Sequence, residues 1–183
     1  HSSHRRQRQM CIRDRTRAEA IKRGIKVVGT RWIDVNKGDE ANPDIRSRLV
    51  AQEYNVGKET GIFAATPPLE AVKMQLSEVA TIDLKEGQHE KIVMINDVAR
   101  AFFEAKVNRE VCVEIPEEAK DEQDKLEDRV GLLKKSLYGT RDAAANFQKE
   151  VARFMKGSGF TQGRYNVCTY YHEKRGIRTL VHG

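Results

Sequence analysis

Residues 91–105 read KIVMINDVARAFFEA, and this stretch limits the possible folds more than any other in the chain. Ile92, Val93, Met94 and Ile95 form a short continuous apolar run, the pattern of a strand covered on both faces rather than one that alternates with solvent. The pattern predicts a buried strand running into Asp97. In α/β folds the carboxyl end of a strand is where chemistry collects, because the strand holds a carboxylate rigidly while the next loop leaves it open to a ligand or metal. A lone acid after a strand more commonly caps the turn into a helix, and the residues alone leave both roles open. Phe102 and Phe103 add two consecutive rings, of which one faces the sheet and the other the cleft if a helix begins there.

Before this stretch, Val27 and Val28 open a strand that Arg31–Val35 continue, and the polar run NKGDEANPD at 36–44 has the Gly, Asn and Pro content of a hairpin loop. Residues 46–51 return as the second strand, carrying Arg46 and Arg48. Arginine's planar fork binds phosphate oxygens in bidentate fashion, although two arginines on an exposed hairpin also serve solubility alone. LEAVKMQLSEVAT at 69–81 has a helical apolar face of Leu69, Val72, Leu76, Val79 and Ala80 behind Pro67 and Pro68, and reads as scaffold. The strand VCVEI at 111–115 alternates and ends at Pro116. The acidic run at 117–129 reads as a solvated loop that lacks the glycine and ligand spacing of a calcium site. Val130–Leu133 resumes a strand into KKSLYGTRDAAANF, where Gly139 allows a close backbone approach, and a helix follows from Asp142 to about Lys156.

The 183 residues can form one compact domain, and 39% apolar content supplies a core despite 33% charged residues. No apolar run approaches the roughly 20 residues of a membrane-spanning helix, so no membrane partner is expected. Cys11, Cys112 and Cys168 are far apart without a CxxC pair, which argues against a disulfide framework or zinc site and fits a reducing, intracellular compartment. Of the net charge of +6, residues 1–15 carry +4, from five arginines against Asp14. Within them, Gln9–Arg15, QMCIRDR, looks like the translation of a transposase end sequence used to build sequencing libraries. Residues 1–15 are therefore set apart as non-native, the competing reading being a basic arm on phosphates. Residues 16–25 read as a linker or short helix, and 26–183 as the domain.

Six segments follow one another in a recognisable order: RWIDVNK at 31–37, RSRLVAQEY at 46–54, INDVARAFFEA at 95–105, VCVEIP at 111–116, LLKKSLYGTRDAAANF at 132–147 and GFTQGRYNVCTYY at 159–171. With these the chain, over about residues 25–183, resembles the reverse transcriptase of copia-type (Ty1/copia) retrotransposons. The resemblance implies an α+β fold, a partial right-hand polymerase with a fingers hairpin and an antiparallel palm sheet backed by helices, the helix at 69–81 lying beneath that sheet. It implies two-metal nucleotidyl transfer with Mg2+ in the full-length parent. The substrates would be an RNA or DNA template-primer and deoxynucleoside triphosphates, and the partner the rest of the element's polyprotein. Asp97 would bridge the metals with help from the Val98 carbonyl. Phe102 would lie beneath the incoming sugar and exclude a 2′-hydroxyl, Arg46 and Arg48 would hold the triphosphate, and Gly139 would lie near the template-primer.

The chain departs from these relatives where they carry Gln-Ala-Pro and it has Asp142-Ala143-Ala144, and where they carry Trp and it has Phe147. It also stops at Gly183, where relatives continue into a turn with two adjacent aspartates, and it lacks thumb and ribonuclease H regions. The expectation is a fragment truncated before the second catalytic motif that does not polymerise by itself. The alternative is a degenerate transposon remnant with at most non-specific nucleic-acid binding. A phosphoryl-transfer domain using Asp97 as covalent acceptor is disfavoured, because no second acid stands beside Asp97 and no glycine-rich phosphate loop is present.

Overall fold

The computed structural model describes residues 11–54, 63–81 and 91–182, and the chain divides into two compact units, His1–Phe63 with Phe102–Phe147 and Ala64–Ala101 with Gln148–Gly183. The architecture is mixed α+β. Residues 1–10, with Arg5, Arg6 and Arg8 of the basic arm, lie outside the described residues.

The first unit is built on a four-stranded sheet of β1 (Cys11–Thr16), β2 (Lys26–Val28), β5 (Val111–Val113) and β6 (Arg129–Leu133), in the order β1-β6-β5-β2. β6 pairs antiparallel with β1 and β5, but β2 runs parallel to β5, so the sheet is mixed where an antiparallel one was expected. A parallel neighbour needs a long connection, and the chain between β2 and β5 supplies it. Between β1 and β2 a short helix α1 (Arg17–Lys22) starts at Thr16, whose hydroxyl accepts the Glu19 N–H while Glu19 returns to the Thr16 N–H. All three residues of β5 are buried, which departs from the alternation of its sequence. Val111 and Val113 join Val28, Ala51, Leu133 and Leu137 on one face, and Cys112 joins Ala20, Ile25 and Val130 on the other. With one of these clusters on each side, β5 has no solvent face to keep.

The acidic run at 117–129 is more ordered than a solvated loop. It forms a 3-10 turn, Glu117–Ala119, and a helix α3 (Glu122–Leu126), with Asp121 as cap and a buried Asp124 answering it. Two acids thus satisfy free helix amides, and Asp128 receives the Arg17 guanidinium at 2.8 Å. β3 (Thr30–Asn36) and β4 (Ile45–Ala51) form the expected hairpin, in unbroken register from Thr30 opposite Ala51 to Asn36 opposite Ile45. Its loop is closed by the Asn36 side-chain oxygen, which accepts the N–H groups of Gly38 and Asp44, each at 3.0 Å.

The second unit contains α2 (Leu69–Ala80), an antiparallel sheet of β7 (Thr161–Gln162), β8 (Thr169–His172) and β9 (Ile177–Leu180), and most of α4 (Ala143–Gly157), which begins in the first unit. α2 forms where its periodicity places it, yet none of its residues is buried, against the expectation of a helix packed under a sheet. Its half-buried side is Ala71, Val72, Gln75, Glu78 and Val79, while Leu69 and Leu76 are exposed. Glu78, on the half-buried side, accepts ion pairs from Lys91 and Arg178.

The strand expected at 92–95 does not form. Residues 91–98 are irregular and exposed, with Ile95 90% accessible. An apolar run becomes a strand only when a neighbour takes up its N–H and C=O groups, and among the described residues none of 91–98 has a ladder partner.

Candidate functional site

Strand register decides what the hairpin presents. Residues two apart share a face and directly opposed residues share it too, so Arg46 and Arg48 on β4 lie on the same face as Arg31, Ile33 and Val35 on β3. Arg31, Arg46 and Arg48 are all exposed. The Arg46 Nε donates to the exposed Asp44 carboxylate at 3.3 Å, a weak surface pair that leaves the guanidinium available. Arg31 was missed in the sequence, because its side of the ribbon is known only once Arg31 is seen to oppose Val50. The other face carries Trp32 opposite Leu49.

The base of this ribbon is fastened to the Ser136–Gly139 turn. The Ala51 N–H donates to the Tyr138 carbonyl at 2.7 Å and the Glu53 N–H to the Gly139 carbonyl at 3.3 Å. Gly139 has a φ of +84°, and a Cβ there would lie 1.9 Å from the Ala51 carbonyl oxygen. The close approach read from the sequence at Gly139 is thus made by the chain's own backbone.

Just past β4, Glu53 anchors a buried ionic network. Its side chain is fully buried, its two oxygens accept both terminal nitrogens of Arg109, and it accepts further from Lys26 Nζ at 3.2 Å and the Arg141 N–H at 3.0 Å. Burial pushes the Glu53 carboxyl up, but the donors from Arg109, Arg141 and Lys26 outweigh it and bring it down to about 2. Arg109 also donates to Asp142 at 3.0 Å, and Asp142 accepts from Asn146, which reaches Ser136 in turn. Asp142 therefore has partners that make an acid useful there. Burial raises the Asp142 carboxyl and its hydrogen bonds from Arg109 and Asn146 lower it, with the net below the ordinary carboxylate range. Glu53 and Arg109 were not singled out in the sequence, since their 56-residue separation hides the pair.

Phe102 belongs to a 3-10 turn, Ala101–Glu104, and is half-buried. Its ring packs on Tyr138 at 4.6 Å between centroids and edge-on to Phe147 at 6.2 Å. Phe103 meets Tyr138 at 5.6 Å and packs against the core cluster around Leu137. The two consecutive rings thus share Tyr138, Phe102 reaching on to Phe147 and Phe103 to the core cluster. Lys135 donates to the Glu104 carbonyl at 3.1 Å.

Asp97 and Val98 belong to the second unit, on the exposed segment 91–98, whereas Arg46, Arg48, Phe102 and Gly139 belong to the first. Among the described residues no three His, Cys, Asp or Glu side chains gather as a metal cluster. Among the described residues Asp97 therefore stands as a single carboxylate, which does not fit the demands of a pair of magnesium ions.

Comparison with known proteins gives one family. The family described as reverse transcriptase (RNA-dependent DNA polymerase) matches residues 19–182. No solved structure matches the chain.

Proposed function

Because the chain belongs to the reverse transcriptase (RNA-dependent DNA polymerase) family, we propose that it is the fingers-hairpin and palm portion of a copia-type element's polymerase, and that its first unit binds a deoxynucleoside triphosphate. The observation that carries this reading is the arginine face of the β3–β4 ribbon, fastened at its base to the turn at Gly139. Arg46 and Arg48 are the proposed triphosphate ligands, and Arg31 on the same face adds a third cation. A rigid base matters because a phosphate clamp that must first be ordered loses affinity to that ordering. Phe102 is the proposed platform for the sugar, with its ring already braced by Tyr138 and Phe147. Gly139 lies near the template-primer in this reading.

Asp97 and the Val98 carbonyl would supply only part of a magnesium site in the parent polymerase. A single carboxylate does not offset the dehydration of two such ions, so the described residues support nucleotide binding rather than nucleotidyl transfer. Template-directed synthesis in the parent polymerase would draw on further acids.

Titration of the chain with a deoxynucleoside triphosphate, followed by isothermal calorimetry, is expected to give a saturable response. Arg46→Ala and Arg48→Ala should each weaken binding roughly tenfold, the scale of a lost hydrogen bond to a charged group. No saturable response from the unaltered chain would overturn the reading in favour of a remnant that binds nucleic acid only non-specifically. A primer-extension assay with Mg2+ is expected to give no product, and extension would contradict the limit placed on Asp97.

A further inference from the structure

The apolar run of the second unit is left without a neighbour. Ile92, Val93, Met94 and Ile95 are 83%, 51%, 76% and 90% exposed, and among the described residues none of 91–98 has a ladder partner. Three of the four are β-branched and the segment holds neither Gly nor Pro, so it has everything a ladder needs except the second strand. Its flanks carry opposite charges, Lys91 before it and Asp97 after it, each three residues from Met94. That spacing makes the segment self-complementary. Laid antiparallel on a second copy with Met94 opposite Met94, it sets Lys91 opposite Asp97, Ile92 opposite Asn96 and Val93 opposite Ile95, each pair twice. Lys91 and Asp97 share a face with Val93 and Ile95, so an ion pair closes each end of a row of β-branched side chains. A parallel, in-register pairing sets Lys91 on Lys91 and Asp97 on Asp97, and an antiparallel register shifted by two residues sets Lys91 against Ala99 or Ile95. Charge complementarity selects one arrangement.

We propose that residues 91–97 are a docking strand for the same segment of a second copy of this chain, paired antiparallel about a two-fold axis through Met94. A two-fold interface has to be self-complementary, and opposite charges at equal distances from the centre meet that condition. Lys91 donates to Glu78 at 2.8 Å, but Arg178 shares that carboxylate, so Lys91 can turn to Asp97 of the second copy without leaving Glu78 unpaired. A two-stranded ribbon is marginal in water, so this dimer is weak and forms by mass action. The run therefore stays exposed in the dilute chain and is covered as concentration rises. None of these residues belongs to the arginine ribbon, so the proposal is independent of triphosphate binding.

The test uses the full chain with Cys11→Ser, which leaves the buried Cys112 and Cys168 as its native thiols. Sedimentation equilibrium over a concentration series is expected to show monomer giving way to dimer. Met94→Cys in this background should form a disulfide-linked dimer with oxidised glutathione, because directly opposed Cβ atoms lie about 4.5–5.5 Å apart, close enough to bridge after a small adjustment. Ile92→Cys should not, because its two copies would lie four residues apart along the ribbon, roughly 13 Å. Asp97→Lys sets like charges opposite each other at both ends and should weaken dimerisation roughly tenfold, while Lys91→Asp combined with Asp97→Lys should restore it. A chain that stays monomeric throughout the series would overturn the proposal. So would a dimer indifferent to Asp97→Lys, or one that crosslinks as well through Ile92→Cys as through Met94→Cys. Growth beyond the dimer into fibres would also overturn it, since that marks open-edge aggregation in place of a closed pair. Thermal melts of the variants at low concentration control for folding.

Discussion

At the scale of single residues, Gly139 and Glu53 do the work of joining the hairpin to the core. Gly139→Ala adds a Cβ that meets the Ala51 carbonyl and forces a left-handed conformation, so it is expected to cost at least about 2 kcal/mol in urea unfolding. Gly24 makes the internal control: its φ is +68°, but nothing lies within 4 Å of an added Cβ, so Gly24→Ala should cost only the conformational strain, about 1 kcal/mol. Glu53 gives a prediction in pH. Its carboxyl lies at about 2 in the folded chain against an ordinary value of 4.5, so its stabilisation is complete above pH 4.5 and is lost as pH falls from there toward 2. The depression corresponds to roughly 3 kcal/mol. Unfolding free energies measured from pH 6 to 2.5 should fall accordingly, and Glu53→Gln should be less stable at pH 6 and flatter across that window.

Elements succeed or fail according to whether they find partners. The hairpin was legible because turn chemistry and β-rich flanks agree locally, and its two strands complete each other. The run at 92–95 carries an equally good local signal and finds no ladder among the described residues. Ile95→Lys is therefore expected to change stability by no more than about 0.5 kcal/mol, and a loss above 2 kcal/mol would show that the run is buried after all. β1 is the opposite case, since residues proposed to be foreign to the protein pair with β6 across a bulge between Ile12 and Arg15. Deleting residues 1–15 exposes the edge of β6 and removes the Arg15–Glu110 pair. A loss of roughly 1–2 kcal/mol, read as a melting temperature lower by about 2–8 °C, is expected for the shortened chain.

For the molecule as a whole, the two units differ in how much they bury. Both apolar clusters belong to the first unit, whereas in the second only Met155, Cys168 and Tyr170 are buried apolar residues among those described. Local stability follows buried apolar contact. In hydrogen exchange, amides of β5 and β6 are expected to be the slowest, and those of α2, which buries no residue, to exchange well before them. Uniform protection across both units would contradict this ranking. Charge follows a different division, with the basic excess collected after residue 147.

The amino-acid sequence by itself determined the family, the hairpin, the helices at 69–80 and 143–157, and the aromatic and glycine positions around Phe102 and Gly139, because those signals are local: periodicity, turn residues and motif spacing. Tertiary structure alone decided which face Arg31 joins, that Ala51 is what approaches Gly139, that Asp142 answers Arg109, and that β5 is buried on both faces. It also left 91–98 without a strand. Each of these depends on a partner tens of residues away, and a chain's own pattern of apolar and charged residues states what a segment needs without naming the neighbour that supplies it.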